Sequence, residues 1–337
     1  MSHAHPELSV VIPVYNEEAG LQSLYDRLYP ALDQLGTVYE VIFVNDGSRD
    51  RSAALLREQF QRRPDVTRVV LLAANAGQHM AIMAGFEQCR GDVVVTLDAD
   101  LQNPPEEIGK LLDAVRAGHD YVGSIRRQRE DALWRSVASK SMNRLRERIT
   151  RIKMTDQGCM LRAYRREIVE AMLDCKEVNT FIPALAYTFA HQPTEVVVEH
   201  EARSAGESKY SLYSLIRLNF DLMTGFSVAP LQFFSLLGIL VSMLSVVTYV
   251  GVIIHRLFNH EVTGLIDVIW DRDILAFFLI GLVLFGQGIL GEYVGRIHMQ
   301  VRYRPRYRIG TILESPAVST PSEDASTLPA SRPALQP

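Results

Sequence analysis

Asp98-Ala99-Asp100-Leu101-Gln102 sets two carboxylates and an amide at i, i+2, i+4 spacing. In extended backbone that spacing projects all three side chains to one side. Two adjacent carboxylates repel unless a cation sits with them. Mg2+ or Mn2+, hard ions that favour oxygen ligands, would bridge them to a substrate diphosphate. The blander alternative is that this stretch only caps a helix beginning near Asn103-Pro104-Pro105-Glu106. Two more polar clusters weigh against it, Pro13-Val14-Tyr15-Asn16-Glu17 and Asn45-Asp46-Gly47-Ser48, each closing a short apolar run. Neither GxGxxG nor GxxxxGK[ST] occurs, which weakens dinucleotide and P-loop chemistry. His79 lies in a similar loop, where capping or packing is at least as good a role as substrate contact, and no HExxH zinc motif occurs.

The elements that must position these groups are legible as alternation. Leu8–Pro13, Tyr39–Val44, Thr67–Leu72 and Asp92–Leu97 are short, β-rich apolar runs. Glu17–Leu35, Arg51–Arg62 and Gly77–Cys89 between them read as helices, with Asn16 and Ser48 as expected caps of the first two. Strands alternating with helices predict parallel pairing with helices on both faces. Ligands then bind beyond the carboxyl ends of the strands, where the polar clusters sit.

The chain has 337 residues, 47% of them hydrophobic, which is enough apolar surface to exclude disorder throughout. A net charge of -4 argues against a nucleic-acid partner. Cys89, Cys159 and Cys175 form neither a CxxC zinc pattern nor an even disulfide set and read as buried apolar residues in a reducing compartment. A mean hydropathy of +0.03 averages an uneven chain. No formal charge occurs from Leu222 to Ile254, and a second uncharged run follows from Ile274 to Gly291. Both are long enough for membrane spans, so two transmembrane helices are expected. Arg256 and Arg272 between them are outnumbered by Glu261, Asp267, Asp271 and Asp273, whereas Arg296, Arg302, Arg304, Arg306 and Arg308 follow the second. The positive-inside rule places the C-terminal flank in the cytoplasm, and two spans return the N-terminal domain to the same side. The first residues lack the features of a cleavable signal peptide. The expected organisation is a catalytic domain over 1–205, an interfacial segment over 206–228 and spans over 229–254 and 274–294. A periplasmic connection over 255–273, a basic segment over 295–313 and a disordered tail over 314–337 complete it.

VIPVYNE (Val11–Glu17), NDGSRD (Asn45–Asp50) and DADLQ (Asp98–Gln102) resemble the family 2 glycosyltransferases of the GT-A fold. The resemblance implies a Rossmann-like mixed sheet with helices on both faces, followed here by the two transmembrane helices. It also implies that Pro13, Tyr15, Glu17, Asp46 and Asp98 bind the nucleotide of a UDP-sugar. Asp98, Asp100 and Gln102 would hold Mg2+ or Mn2+, and Asp156 and Asp100 would be the catalytic acids. Asn45 departs from a frequent aspartate, and Gln157 from an expected aromatic residue. No QxxRW occurs, since Trp134-Arg135 runs the other way, so a processive synthase is not expected.

The remaining polar clusters point to the acceptor. Leu133–Arg151 reads as a basic amphipathic helix, suited to packing on the domain or lying on an anionic membrane surface. Arg203-Ser204-Ala205-Gly206-Glu207-Ser208-Lys209 places Arg203, Ser208 and Lys209 on a loop before the first span, a place to capture a lipid-borne phosphate. Resemblance to the polyisoprenyl-phosphate subgroup adds Arg126 and Arg135 as phosphate-gripping residues and undecaprenyl phosphate as acceptor. Its carrying segments include NAGQHMAIMAGF, DQGCMLRAYRREIV, NTFIPALA and GESKYS. That resemblance further implies a formamido-arabinose donor, a multi-pass place in the bacterial inner membrane, and a role in lipid A modification and polymyxin resistance. The strand-end motifs leave glucose or another hexose as an alternative donor, and a non-catalytic sugar-nucleotide-binding protein as a farther alternative. A homo-oligomer stays open.

Overall fold

The computed structural model describes residues 5–126, 152, 154–156, 158–175, 181–201, 224, 228–258, 272–301 and 305–315. The first half alternates as expected: β1 (Leu8–Val14), α1 (Leu21–Asp33), β2 (Tyr39–Asn45), α2 (Ser52–Arg62), β3 (Thr67–Leu72), α3 (Gln78–Phe86) and β4 (Val93–Thr96). After a short 3-10 turn come α4 (Ile108–Arg116), β5 (Tyr121–Arg126), β6 (Arg162–Arg165), α5 (Arg166–Asp174), α6 (Ile182–Phe189) and β7 (Pro193–Val198). Two long helices, α7 (Ala229–Phe258) and α8 (Arg272–Val301), precede a last strand, β8 (Ile309–Leu313).

Among the described residues the strands form one sheet in the order β7-β5-β6-β4-β1-β2-β3-β8. β1 lies between β2 and β4, parallel to both, and β3 continues the parallel run. β6 is antiparallel to β4 and β5, and β8 is antiparallel to β3, so the sheet is mixed. The order reverses at β1, which opens a crevice at the carboxyl ends of β1 and β4.

Alternation along β1 feeds two cores. Leu8, Val10, Ile12 and Val14 pack with α1, α2 and α4, whereas Val11 packs with α3, α5 and α6 on the opposite face. Each fully buried aliphatic side chain contributes about 1.5–3 kcal/mol relative to exposure, which fixes the strand register and hence the strand ends. Gly85 lets α3 lie close on the sheet, since a Cβ there would stand 2.4 Å from a Val11 methyl.

The expected helix caps are not the observed ones. α1 starts after Gly20 and α2 after Arg51. Asn16 and Ser48 instead tie two loops together, Asn16 N donating to Ser48 Oγ at 3.0 Å and Arg49 N to Asn16 Oδ1 at 2.9 Å. The side chains meet across the loops because β1 and β2 end in register, Val14 opposite Asn45. A second difference is β8, which occupies part of the expected basic segment. Its residues Ile309 and Leu313 have an apolar sheet to pack on, which a charge count does not register. Among the described residues no helix is long and apolar enough to cross a membrane; the two expected spans fall on α7 and α8.

Candidate active site

A cleft of about 250 Å³ opens at the carboxyl end of the sheet, lined by Pro13, Val14, Tyr15 and Glu17 after β1 and by Asp46 after β2. Asn75, Gly77 and Gln78 before α3, and Asp98, Ala99 and Asp100 after β4, complete the lining. All three strand ends singled out in the sequence thus converge.

The loops are laced by side chains that the sequence presents as polar clusters. Glu17 N donates to Ser52 Oγ at 3.0 Å, Glu18 N to Asp50 Oδ2 at 3.1 Å, and Arg51 N to Glu18 Oε2 at 2.9 Å. Tyr15 is 43% exposed, so its ring is available at the cleft.

Asp46 is only 2% exposed, and its carboxylate is organised by the loop after β3. Ala76 N donates to its Oδ1 at 2.7 Å, while Gly77 N and Asn75 Nδ2 each donate to its Oδ2 at 3.0 Å. Burial holds the Asp46 pKa above the usual carboxylate value, and the two backbone N–H donors offset only part of that rise. Asn75, Gly77 and Gln78 were given no individual role by sequence reasoning. The available signal was an Asn-Ala-Gly-Gln stretch directly after a fourth apolar run.

At the β4 end the expected extended geometry is corrected. The strand stops at Thr96, and Leu101 adopts a left-handed conformation with φ of 58°. Asp100 Oδ1 accepts from Gln102 N at 3.1 Å, a local turn that competes with strand extension. Asp98 and Asp100 both reach the cleft, whereas Gln102 is not among its lining residues. Gln78 Nε2 donates to Asp98 Oδ1 at 2.7 Å and so ties α3 to this turn. The lining carries four carboxylates, Glu17, Asp46, Asp98 and Asp100, and no Lys or Arg among the described residues. Hard oxygens without a cationic side chain suit a Mg2+ or Mn2+ ion that shares its ligands with phosphate. Among the described residues no group of three or more His, Cys, Asp and Glu could hold a metal ion.

Asp156 lies beside β5. Arg126 Nε and Nη2 donate to its two oxygens at 2.6 and 2.9 Å. Its loop is fixed from three sides: Thr155 donates to Glu195, the buried Arg162 donates to the Asp156 carbonyl, and Ser124 Oγ donates to the Leu161 carbonyl. Arg135, Gln157, Arg203, Ser208 and Lys209 lie outside the described residues, as does the whole of the expected basic helix Leu133–Arg151. His79 packs edge-to-face on Phe181, with centroids 5.3 Å apart, and burial pushes its pKa down to about 4. It is not a cleft-lining residue, in keeping with packing rather than substrate contact.

Residues 9–173, which supply β1 through most of α5 and every cleft-lining side chain, match the family described as Glycosyl transferase family 2. The chain belongs to glycosyl transferase family 2. The transferase is 47% identical over 316 residues to the undecaprenyl-phosphate 4-deoxy-4-formamido-L-arabinose transferase of Aeromonas hydrophila, covering 94% of this chain and 96% of that one. It is also 47% identical over 324 residues to the protein of the same name from Pseudomonas syringae, covering 96% of each. Among solved structures it is similar to glucosyl-3-phosphoglycerate synthase from Mycobacterium tuberculosis in complex with Mn2+, UDP and glucosyl-3-phosphoglycerate. That likeness has a TM-score of 0.48 and 19% identity, covering 65% of this chain and 78% of the other. The mixed sheet of this glycosyltransferase is the GT-A arrangement expected from its strand-end motifs.

Proposed function

We propose that this glycosyltransferase moves 4-deoxy-4-formamido-L-arabinose from its UDP derivative to undecaprenyl phosphate, inverting the anomeric carbon, for lipid A modification and polymyxin resistance. The observation that carries this reading is the extent of the relatedness. Identity of 47% runs over nearly the whole of both chains, through the long helices as well as the cleft domain. A shared sugar-nucleotide cleft alone would leave the acceptor open.

The cleft divides the work along the sheet. Pro13, Tyr15, Glu17 and Asp46 take the nucleoside, and Asp98 and Asp100, with Gln102, would hold Mg2+ or Mn2+. When bound, the ion offsets the negative charge that grows on departing UDP. The acceptor phosphate has a second pKa of about 6, so near neutral pH it is already largely deprotonated. It attacks the anomeric carbon, a C–O bond forms there as the bond to UDP breaks, and one displacement inverts the centre. Strong general-base help is unnecessary for such a nucleophile. Asp156 therefore acts mainly by orienting the acceptor end or by facing the positive charge that develops on the sugar. Arg126, with Arg135, Arg203, Ser208 and Lys209, brings the acceptor anion toward a second anion that would otherwise repel it. Arginine suits this task because its planar fork matches phosphate oxygens.

The acceptor is lipid-borne, and α7 and α8 are read as the membrane spans, with the cleft domain and C-terminus cytoplasmic. The sequence supports this reading, because no formal charge occurs from Leu222 to Ile254 or from Ile274 to Gly291. Each helix has 30 residues, about 45 Å at 1.5 Å per residue, against a hydrocarbon core of about 30 Å. Phe233, Leu236, Leu240 and Leu244 on α7 are all more than 60% exposed, an arrangement unfavourable in water and suited to lipid. The test is incubation of purified full-length protein with Mn2+, undecaprenyl phosphate and a panel of UDP-sugars. UDP release only with the formamido-arabinose donor supports the reading; release with UDP-glucose reassigns the donor, and no release with any donor overturns it.

A further inference from the structure

Cys159, Met160 and Leu161, which lead from the Asp156 turn into β6, are buried and lie outside any helix or strand. Buried carbonyls in such a segment need donors from elsewhere. Thr96 Oγ1 donates to the Met160 carbonyl and Ser124 Oγ to the Leu161 carbonyl, each at 2.6 Å. Arg162 serves two more: Nε donates to the Cys159 carbonyl at 2.8 Å and Nη2 to the Asp156 carbonyl at 2.6 Å. Its Nη1 donates to the Tyr121 hydroxyl, and the guanidinium carbon stands 5.9 Å from the centroid of that ring. Arg162 is fully buried, and Gly123 leaves room for it, since a Cβ there would lie 3.1 Å from Nη1.

A neutral donor would satisfy these carbonyls without taking a charge out of water, so pairing alone is a poor reason for an arginine here. What the planar fork adds is a fixed separation and direction for the two carbonyls it holds. They belong to Asp156 and Cys159, the two ends of the turn that carries the Asp156 carboxylate. That carboxylate is tied to the same turn, because Asp156 Oδ1 accepts from Gly158 N at 3.0 Å as well as from Arg126 Nη2 at 2.9 Å. The main-chain path therefore sets the carboxylate direction. We infer that Arg162 is the positioning residue for Asp156, holding the turn so that the carboxylate meets Arg126 and the reacting groups in one direction. Arg162 does not line the cleft, so it acts on the transfer only through Asp156. This inference rests on the transferase reading, in which Asp156 serves the transfer step.

The test is a double-mutant cycle on full-length protein in detergent, following UDP release from the formamido-arabinose donor with Mn2+ and undecaprenyl phosphate. Arg162→Lys keeps the charge but loses the fork. It should lower kcat by roughly ten- to a hundred-fold, the scale of a misplaced reacting group, with UDP affinity unchanged. In the Asp156→Asn background the same change should have almost no further effect. Asparagine keeps the main-chain carbonyl that Arg162 holds, so a merely structural role would cost as much there as in the wild type. Tyr121→Phe removes one acceptor of the guanidinium with little change in packing, and should lower kcat in the same non-additive way by a smaller factor. Additive losses in the cycle, or loss of UDP binding by both variants, overturn the inference and leave the transferase reading standing. Wild-type kcat in Asp156→Asn overturns the role given to Asp156 and the inference with it. Wild-type protein that releases no UDP overturns the transferase reading as well.

Discussion

Arg126 grips Asp156 with two parallel hydrogen bonds, 2.6 and 2.9 Å long, and the carboxylate lies beneath the guanidinium at only 5% side-chain exposure against 22%. The residue expected to hold the acceptor phosphate and the residue expected to serve catalysis are thus a single unit. Bidentate geometry of this kind constrains direction as well as charge. Asp156→Asn should lower kcat by roughly tenfold or more while UDP affinity changes little. Arg126→Lys, which keeps the charge but loses the fork, should lower kcat too, and the double variant should be far less than additive. Steady-state kinetics with both substrates, set out as a double-mutant cycle, checks this; additive losses would mean the two act separately.

Asp98 and Asp100 reach the cleft without a cationic side chain among its lining residues. UDP binding should therefore depend on a divalent ion. Adding a chelator should weaken UDP by about tenfold or more in the wild type, since a phosphate-bridging ion makes a large part of the contact. Asp98→Asn and Asp100→Asn should bind weakly with or without chelator. Calorimetry with and without Mn2+ separates this from a metal-independent site, in which chelation would have no effect.

Gly47→Ala should damage both stability and donor binding. Its φ of 65° is a left-handed conformation, and the new methyl would press on the Ala74 and Asn75 backbone at 2.7 Å, which has no side-chain freedom to yield. A cost of about 1–3 kcal/mol is expected for the strain alone. Thermal unfolding followed beside UDP titration tests the pairing of the two defects; an unchanged UDP affinity would uncouple the loop from the cleft.

Glu314, just past β8, accepts from Arg68 at 2.6 Å and from Arg90 at 2.8 Å. The Arg68 hydrogen bond, with smaller help from Arg90, holds its pKa below the usual carboxylate value. A lowered folded-state pKa gives stability that is fully present above the unfolded value of about 4.3 and is lost as pH falls through the folded one. Glu314→Gln should therefore lower stability at neutral pH and leave the difference from wild type shrinking below about pH 4. Denaturant unfolding at a series of pH values checks this. A constant difference across that range would mean the charge is irrelevant.

The catalytic half was legible because its signals are local. Short, β-rich apolar runs ending at Pro13, Val44 and Leu97 placed β1, β2 and β4 within a residue of their observed ends. The cleft followed from knowing where such strands present their loops. Three features were not legible, each for a non-local reason. The Asp46 carboxylate is organised by Asn75–Gly77, a contact between separate strand ends that no local pattern reports. The turn at Leu101 depends on Asp100 outcompeting strand extension, a contest that spacing alone does not decide. β8 is too short to announce itself, and only the exposed edge of β3 gives it a reason to form.

That final strand also fixes an order of assembly. Arg68 and Glu314 are 246 positions apart in the chain, with both long helices between them. During synthesis the edge of β3 must wait, unpaired, until β8 has been made. An open edge of that kind invites pairing with the wrong chain. The long delay makes correct placement of α7 and α8 a precondition for closing the sheet, so a misplaced helix would surface as a defect in the cleft domain.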